Sequence, residues 1–189
     1  MNKKHWYDYL WIFSTIYLAL GFFNIIFAWL GLICFITPLL ISLIKGNKSY
    51  CNKYCGRGQL FSLLGGRFGL SRKKDMPRWM VSPFFRYGFL IFFLTMFGMM
   101  IWNTVLVFKG AELKQIVTLF WTFKLPWNWA YNSGIVPAGV AQFAFGFYSL
   151  MLTSTLLGII TMILFKPRSW CVYCPMGTMT QMICKIKAN

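Results

Sequence analysis

Three long apolar stretches divide the chain and predict membrane-spanning helices. The first runs from Leu10 to Ile44, 35 residues without an acidic or basic side chain. A spanning helix needs roughly 20 mostly apolar residues, so this stretch is predicted to form two helices joined by a tight turn within 24–31. A single tilted helix is the alternative. The other two stretches, Phe84–Phe108 and Gln142–Phe165, each fit one further span.

The predicted fold class is therefore an all-α integral membrane protein with about four transmembrane helices in pseudo-symmetric halves. We expect a single transmembrane domain over residues 1–189. Its predicted spans are 10–27, 29–44, 84–108 and 142–165, with a cytoplasmic loop at 45–83 and an outer aromatic segment at 109–141.

The charges of the chain predict its orientation. Only 12% of the residues are charged, against about 25% in soluble domains. Of the 19 Lys and Arg residues, three (Lys109, Lys114 and Lys124) lie in the segment 109–141, and the other 16 lie at the opposite ends of the predicted spans. The positive-inside rule places those 16 in the cytoplasm. Both termini and the loop 45–83 are then cytoplasmic, and the protein is a multi-pass protein of the inner (cytoplasmic) membrane.

A basic composition is also typical of nucleic-acid-binding proteins, but the placement of the charges argues against that class. A nucleic-acid-binding protein carries its basic residues on a polar scaffold, whereas here they flank apolar segments. We therefore expect no nucleic-acid partner. The cytoplasmic residues from Arg67 to Arg78 are expected to bind anionic phospholipid or to attract an acidic electron donor.

The outer segment is rich in aromatic residues, which predicts contact with the membrane interface. Aromatic belts anchor membrane proteins at this level, so an interfacial helix and loop is expected. A docking surface for an outer-face redox partner is the alternative. The residues concerned are Phe120, Trp121, Phe123, Trp127, Trp129 and Tyr131.

Four of the six cysteines form two close pairs. Cys51 and Cys55 follow the second predicted span, and Cys171 and Cys174 follow the fourth, so both pairs are expected at the same membrane face. Cytoplasmic thiols are kept reduced, and two close pairs are a usual way to present four thiolates to a metal. Nearby basic residues are expected to lower the thiol pKa values. Those residues are Lys53, Arg57, Arg67, Arg72, Lys73, Lys74 and Arg168.

The residues after the two pairs are alike. Cys55 is followed by Gly56 and Gly58, and Cys174 by Pro175 and Gly177, and in both cases a helix-like stretch comes next. Glycines allow backbone N–H groups to approach a cluster's sulfur atoms, and such hydrogen bonds tune reduction potential. The cysteines by themselves fit zinc as well as an iron–sulfur cluster. Cys34, inside an apolar stretch, and Cys184, near the C-terminus, are interpreted as bystanders.

The second motif, with Cys174, Pro175, Gly177 and Gln181, resembles the membrane 4Fe-4S-binding proteins of the NapH/NosR type. The resemblance implies paired cytoplasmic Cys-x-x-x-Cys-Pro motifs and electron transfer between cytoplasmic or quinone-pool donors and periplasmic reductases. It implies a [4Fe-4S] cluster on Cys51, Cys55, Cys171 and Cys174. Two features differ from the family: the second pair has two intervening residues, and Gly56 replaces a proline. Many relatives carry a further ferredoxin domain, so this chain is expected to be a minimal form.

The sequence thus predicts a membrane-bound iron–sulfur carrier that transfers single electrons at the cytoplasmic face to or from a redox protein or quinone. The expected partners are the lipid bilayer, an acidic cytoplasmic donor and an outer-face acceptor. An electron-transfer subunit is favoured over a self-contained enzyme, because no substrate-pocket chemistry is apparent. The alternatives are a zinc-binding structural or regulatory membrane protein and a metal transporter or metal-handling protein.

Overall fold

The computed structural model describes residues 6–46, 50–120, 122–131 and 136–188, and it is mostly helical. Trp121 lies outside the described residues. The α-helices are α1 (Leu10–Phe23), α2 (Leu30–Lys45), α3 (Gly56–Ser62), α4 (Arg78–Val81), α5 (Pro83–Phe108), α6 (Ala138–Leu164), α7 (Trp170–Tyr173) and α8 (Pro175–Ala188). Two strands, β1 (Ile116–Leu119) and β2 (Phe123–Pro126), lie between α5 and α6.

Among the described residues, three helices are long and apolar enough to cross a membrane. They are Ile25–Lys45, which consists of a 3₁₀ turn and α2, together with α5 and α6. Their lengths of 21, 26 and 27 residues meet the roughly 20 residues that a bilayer requires. The apolar helical stretch Tyr7–Phe23 is shorter. The prediction of four spans remains a prediction.

Contacts divide the chain into two compact units. The first unit comprises Met1–Thr15, Cys34–Phe92 and Thr155–Asn189, and the second comprises Ile16–Ile33 and Phe93–Ser154. Each unit has its own buried apolar cluster.

In the second unit, the chain folds back on itself at Asn24. The Asn24 side chain accepts a hydrogen bond of 3.1 Å from the Ile26 amide and caps the 3₁₀ turn Ile25–Trp29. The Tyr17 hydroxyl donates to the Ala28 carbonyl over 3.4 Å. In a continuous helix these two residues would be about 16 Å apart along the axis. The first apolar stretch is therefore broken between α1 and α2, as predicted, and is not one tilted helix.

Segment 109–141, which the sequence predicted to be an outer interfacial helix and loop, contains a β-hairpin. β1 and β2 pair antiparallel, with Ile116 opposite Pro126 and Leu119 opposite Phe123. Two polar side chains of α6 accept hydrogen bonds from this segment's backbone: Gln142 Oε1 from the Lys114 amide and Ser149 Oγ from the Thr118 amide, both at 3.0 Å. The prediction of a helix there was wrong, because three consecutive β-branched residues, Ile116, Val117 and Thr118, favour a strand.

The hairpin segment also supplies a buried aromatic residue. Trp127 packs edge-on against Phe22, with ring centroids 5.2 Å apart, and lies beside Tyr148. Trp129 donates from its indole nitrogen to the Phe22 carbonyl at 3.2 Å but stays largely exposed. The aromatic residues of this segment therefore divide between a buried core and an exposed surface.

In the first unit, α8 is the element that ties the others together. Lys187 Nζ donates to the Leu43 and Ile44 carbonyls at 3.0 and 2.8 Å and so satisfies the C-terminal end of α2. The Arg86 guanidinium, near the start of α5, donates to Gln181 Oε1 on α8. The Lys187 ammonium lies at the C-terminal end of α2, where the helix dipole favours a positive charge. The helix that follows the second cysteine pair thus holds two other helices of this unit in place.

Candidate metal centre

Both cysteine pairs belong to the first unit, and in both the second cysteine stands directly before a helix. Cys55 precedes α3 with φ −71° and ψ 108°, and Cys174 precedes α8 with φ −51° and ψ 129°. The prediction that a helix follows the second cysteine of each pair is therefore confirmed at both motifs. The stretches before these cysteines differ: Tyr50–Tyr54 is a π-helical turn, whereas α7 is a short α-helix.

Gly58 lies between two cysteines from different motifs. A Cβ atom placed on Gly58 would lie 3.8 Å from Cys55 Sγ and 3.7 Å from Cys171 Sγ. The two sulfur atoms are thus both within 4 Å of one point, although they are far apart in sequence. The glycine leaves room for a methyl-sized group beside both sulfurs, so no side chain of this residue competes for the space next to them.

The other two cysteines are close enough to interact electrostatically with this pair. Burial is the largest cause of the raised pKa values of Cys171 and Cys174, and negative charge on neighbouring cysteines adds to it: Cys55, Cys174 and Cys51 act on Cys171, and Cys55 and Cys51 act on Cys174. Cys51 Sγ also lies 3.7 Å from Thr180 Oγ1 on α8. The structure therefore brings the four predicted site residues into one neighbourhood.

Burial is the main influence on the thiols of the second motif. It raises the pKa of Cys171 and raises that of Cys174 to about 11. Arg168 acts in the opposite direction on Cys171, and the Gly177 amide and Arg57 do so on Cys174. The arginines lower these pKa values, as expected, but desolvation of the thiolates raises them by more. The net shift is therefore upward. A cationic metal centre would supply the missing compensation by binding the thiolates directly.

A hydrogen-bonded bridge connects the two motifs. Arg168 Nη2 donates to Gln59 Oε1 over 3.2 Å, and Gln59 Nε2 donates to the Lys53 carbonyl over 3.1 Å. Gln59 is only 9% exposed, so its partners replace water. Sequence analysis did not single out Gln59; its signal was a polar side chain directly before the apolar residues Leu60 and Phe61 of α3. The bridge holds the segment before Cys171 against the loop that contains Cys51 and Cys55.

Two threonines on α8 were also missed. The Thr180 hydroxyl, besides lying near Cys51, donates to the Gly177 carbonyl at 3.0 Å, and the Thr178 hydroxyl donates to the Cys174 carbonyl at 3.2 Å. Both residues are buried. The sequence shows both threonines in the stretch GTMTQMI, but their spacing does not indicate which hydroxyl lies beside a cysteine.

Gly56, which replaces the proline expected from the resemblance, is accounted for by its surroundings. A Cβ atom at this position would lie 2.5 Å from Ser14 Oγ and 2.8 Å from the Leu10 carbonyl oxygen. Since α1 passes this close to the start of α3, proline would clash as any other side chain would. The second motif carries Pro175 at the first position of α8, where proline's missing N–H costs nothing.

The remaining cysteines differ in their distance from this neighbourhood. Cys184 lies ten residues after Cys174 on α8, about 15 Å along the helix axis. Cys34 is nearer. Burial raises the pKa of Tyr50, and negative charge on Cys34, Cys55 and Cys51 raises it further, so these three thiols all lie close to Tyr50. A fifth thiol therefore lies beside the first motif, which its position inside an apolar stretch did not indicate.

The four thiols are grouped but do not converge on one ion. Within the described part of the chain, no three cysteine, histidine or carboxylate side chains are placed to hold a single metal ion. Tetrahedral zinc needs its sulfur ligands about 2.3 Å from one point. An iron–sulfur cluster instead binds each cysteine through a different iron, so its ligands stand further apart. Four thiols in two neighbouring pairs are a donor set for such a cluster, so the residues present fit it.

Comparison with known proteins supplies the identity of that group. A family model described as a 4Fe-4S binding domain matches residues 27–75 and 149–188, slightly less than half of the chain. The two matched segments contain all four cysteines and the helices that follow them. No curated protein and no solved structure shows a significant match. The match supports iron–sulfur binding, and the cofactor is an iron–sulfur cluster of the [4Fe-4S] type.

Proposed function

We propose that this chain is an integral membrane electron carrier in which Cys51, Cys55, Cys171 and Cys174 hold one [4Fe-4S] cluster. The observation that carries the proposal is that a Cβ atom placed on Gly58 would lie within 4 Å of sulfurs from both motifs, inside the segments that match a 4Fe-4S binding domain. The bound cluster would supply one-electron redox chemistry. The resemblance to the NapH/NosR type extends this to transfer between a cytoplasmic donor or quinone and an acceptor.

The protein's own residues would tune and shield this centre. A cluster held by four thiolates is anionic and becomes more so on reduction. Arg57 and Arg168, which already oppose the raised pKa values of the thiols, would stabilise that charge. The Gly177 amide, a donor toward Cys174, would stabilise it by a hydrogen bond, which raises the reduction potential.

The deciding experiment is spectroscopy of the full chain purified without oxygen. We expect a brown protein containing iron and acid-labile sulfide, with an absorption band that dithionite bleaches. Serine at any of the four proposed ligands should reduce the iron and sulfide content, whereas Cys184→Ser should leave it unchanged. Stoichiometric zinc without sulfide would refute the proposal. Loss of the cluster in Cys34→Ser, with retention in one of the four, would show that the ligand set is wrong.

The membrane arrangement belongs to the same proposal. We propose four spans, with both termini and the cysteines at the cytoplasmic face of the inner membrane; the break at Asn24 and the positive-inside rule support this arrangement. An impermeant thiol reagent should label Lys74→Cys from the cytoplasmic side and Lys124→Cys from the opposite side of the membrane. Labelling of both positions from one side would contradict this topology.

A further inference from the structure

The segment between α3 and α5 carries an exposed basic surface with a tryptophan at its end. We call it the basic surface, and it consists of Arg67, Arg72, Lys73, Lys74, Arg78 and Trp79, all of which are exposed. The one acidic residue in this stretch, Asp75, is paired with Lys166. The surface is therefore strongly positive.

The basic surface is held in a defined shape. The Ser71 hydroxyl donates to the Phe165 carbonyl, and the Arg72 amide donates to the Ile163 carbonyl at 3.1 Å. Lys73 adopts a left-handed conformation with φ 56°, and its amide donates to Ser71 Oγ at 3.2 Å. A non-glycine residue with this conformation persists only where its surroundings fix it. Because the backbone is already ordered, a partner that binds here loses less conformational entropy.

Packed aromatic rings connect the basic surface to the second cysteine motif. Trp79, which is 62% exposed, packs edge-on against Phe85 with ring centroids 5.2 Å apart. Phe85 in turn packs against Tyr173 at 5.4 Å. Tyr173 is buried and stands next to Cys174 in sequence. One exposed ring and one partly buried ring therefore separate solvent from the cysteine motif, and electron transfer through protein slows steeply with distance.

On the basis of the proposed function, we propose that the basic surface is the docking site of a one-electron carrier protein with an acidic surface. The carrier would sit on Trp79, and the electron would enter along the Trp79–Phe85–Tyr173 contacts. One electron leaves the donor, which is oxidised, and arrives at the centre held by the cysteines, which is reduced. No bond is made or broken in this step.

Charge and the position of Trp79 both favour this partner. Opposite charges accelerate encounter and fix orientation, and tryptophan and arginine are the residues most often found at the energetic centre of an interface. Anionic lipid would also be attracted to basic and aromatic residues. A lipid contact, however, does not require that Trp79 packs against Phe85, which in turn contacts Tyr173 next to Cys174.

The test uses the full chain in nanodiscs of uncharged phosphatidylcholine, with a purified acidic [2Fe-2S] ferredoxin as the probe. Replacing Arg72, Lys73 and Lys74 together by glutamine should lower the rate of cluster reduction and the affinity for the ferredoxin about tenfold at low salt. The difference should shrink as salt screens the charges. The matched control replaces Lys109, Lys114 and Lys124 by glutamine, which removes the same charge from exposed lysines of the outer segment, and should change neither quantity.

A second pair of variants tests the tryptophan. Trp79→Ala should weaken ferredoxin binding about tenfold, and Trp79→Phe should restore most of it. Trp102→Ala removes an equally exposed tryptophan (66%) from α5 and should have no effect. Binding is also measured with the Cys174→Ser chain, so that the surface is tested even if no cluster forms.

Each outcome separates the two proposals. Absence of a cluster from the parent chain, with ferredoxin binding intact, would refute the proposed function and not the docking site. Unchanged rate and affinity in the basic triple variant would refute the docking site. Loss of co-purifying phosphatidylglycerol by that variant, without any change in ferredoxin affinity, would assign the basic surface to lipid and overturn the proposal.

Discussion

Cys51 and Thr180 are 129 residues apart in the chain, yet the Cys51 sulfur lies 3.7 Å from the Thr180 hydroxyl oxygen. The contact joins the first cysteine motif to the helix that follows the second. The contact places a polar group of this chain beside a sulfur that is proposed to bind the cluster. A mutation of Thr180 can therefore test whether this group influences the cluster's reduction potential.

Thr180→Val should lower the reduction potential of the cluster. Valine has nearly the same shape but lacks the hydroxyl. Once Cys51 is a thiolate ligand it can only accept, so the Thr180 hydroxyl would turn from the Gly177 carbonyl to donate to this sulfur, and such a hydrogen bond stabilises the more negative reduced state. A net hydrogen bond of about 1 kcal/mol corresponds to tens of millivolts for one electron. Potentiometric titration followed by electron paramagnetic resonance measures the shift.

The control for this experiment is Thr178→Val. Thr178 is equally buried on α8, but its hydroxyl donates to the Cys174 carbonyl and not to a sulfur. Its variant should shift the potential less. Equal shifts in both variants would show that the Thr180 hydroxyl does not act on Cys51.

Gly58→Ala should reduce cluster content without destabilising the chain. The added methyl group meets Cys55 Sγ and Cys171 Sγ at ordinary contact distances, so the cluster-free protein accommodates it. Alanine in a helix is also favoured over glycine by about 0.5–1 kcal/mol. The methyl group would, however, occupy space beside the sulfurs that the cluster needs. Iron and sulfide analysis and thermal unfolding measure the two effects.

Gly66→Ala is the matched control for this prediction, because nothing lies within 4 Å of a Cβ placed there. It should keep the parent's cluster content. A full complement of iron and sulfide in Gly58→Ala would show that the space beside Gly58 is not part of the site.

Gly158→Ala should destabilise the first unit by about 1–3 kcal/mol. A Cβ atom at this position would lie 2.2 Å from Phe61 Cζ, and Phe61 is completely buried and has no room to move aside. Phe61 belongs to α3, so displacing it would also disturb Cys55. Gly98→Ala, on a helix with nothing within 4 Å of the new Cβ, should be neutral or stabilising. Unfolding midpoints in detergent compare the two variants, and equal midpoints would contradict the clash.

The thiol of Cys174 should react slowly in the folded, cluster-free chain. Its folded pKa of about 11 exceeds the ordinary value of 9.0, and only the thiolate is nucleophilic. The folded state therefore holds the Cys174 proton more tightly than the unfolded state does. The contribution of this thiol to the stability of the folded chain is fully present below pH 9 and is lost as the pH rises through about 11. Alkylation of Cys174 by iodoacetamide, followed by mass spectrometry, should be half-maximal at a higher pH in folded than in denatured protein. Coincident pH profiles would contradict burial as the cause.

Much of the local structure was predictable because it depends on neighbouring residues. The break in the first apolar stretch follows from a length that exceeds one span, and Asn24 is a favoured helix-capping residue. The helices after Cys55 and Cys174 follow from the helix-like stretches at those positions, and Pro175 is a favoured first residue of a helix. The β-hairpin was not predicted, because its many aromatic residues fit a membrane interface as well as a strand, and the partners Gln142 and Ser149 that fix its backbone come later in the chain.

By itself, the sequence determined the composition of the site: two pairs of cysteines at the ends of apolar stretches, each followed by a helix. These features are set by bilayer thickness, charge placement and local helix chemistry, all of which are readable along the chain. Only the tertiary structure decided which groups surround the thiols. Gly58 faces sulfurs of both motifs, Gln59 bridges them, Thr180 lies beside Cys51, and burial outweighs the arginines in setting the pKa values. The first three of these relationships each join residues about 110 to 130 positions apart, and the sequence pattern at either position does not specify the other.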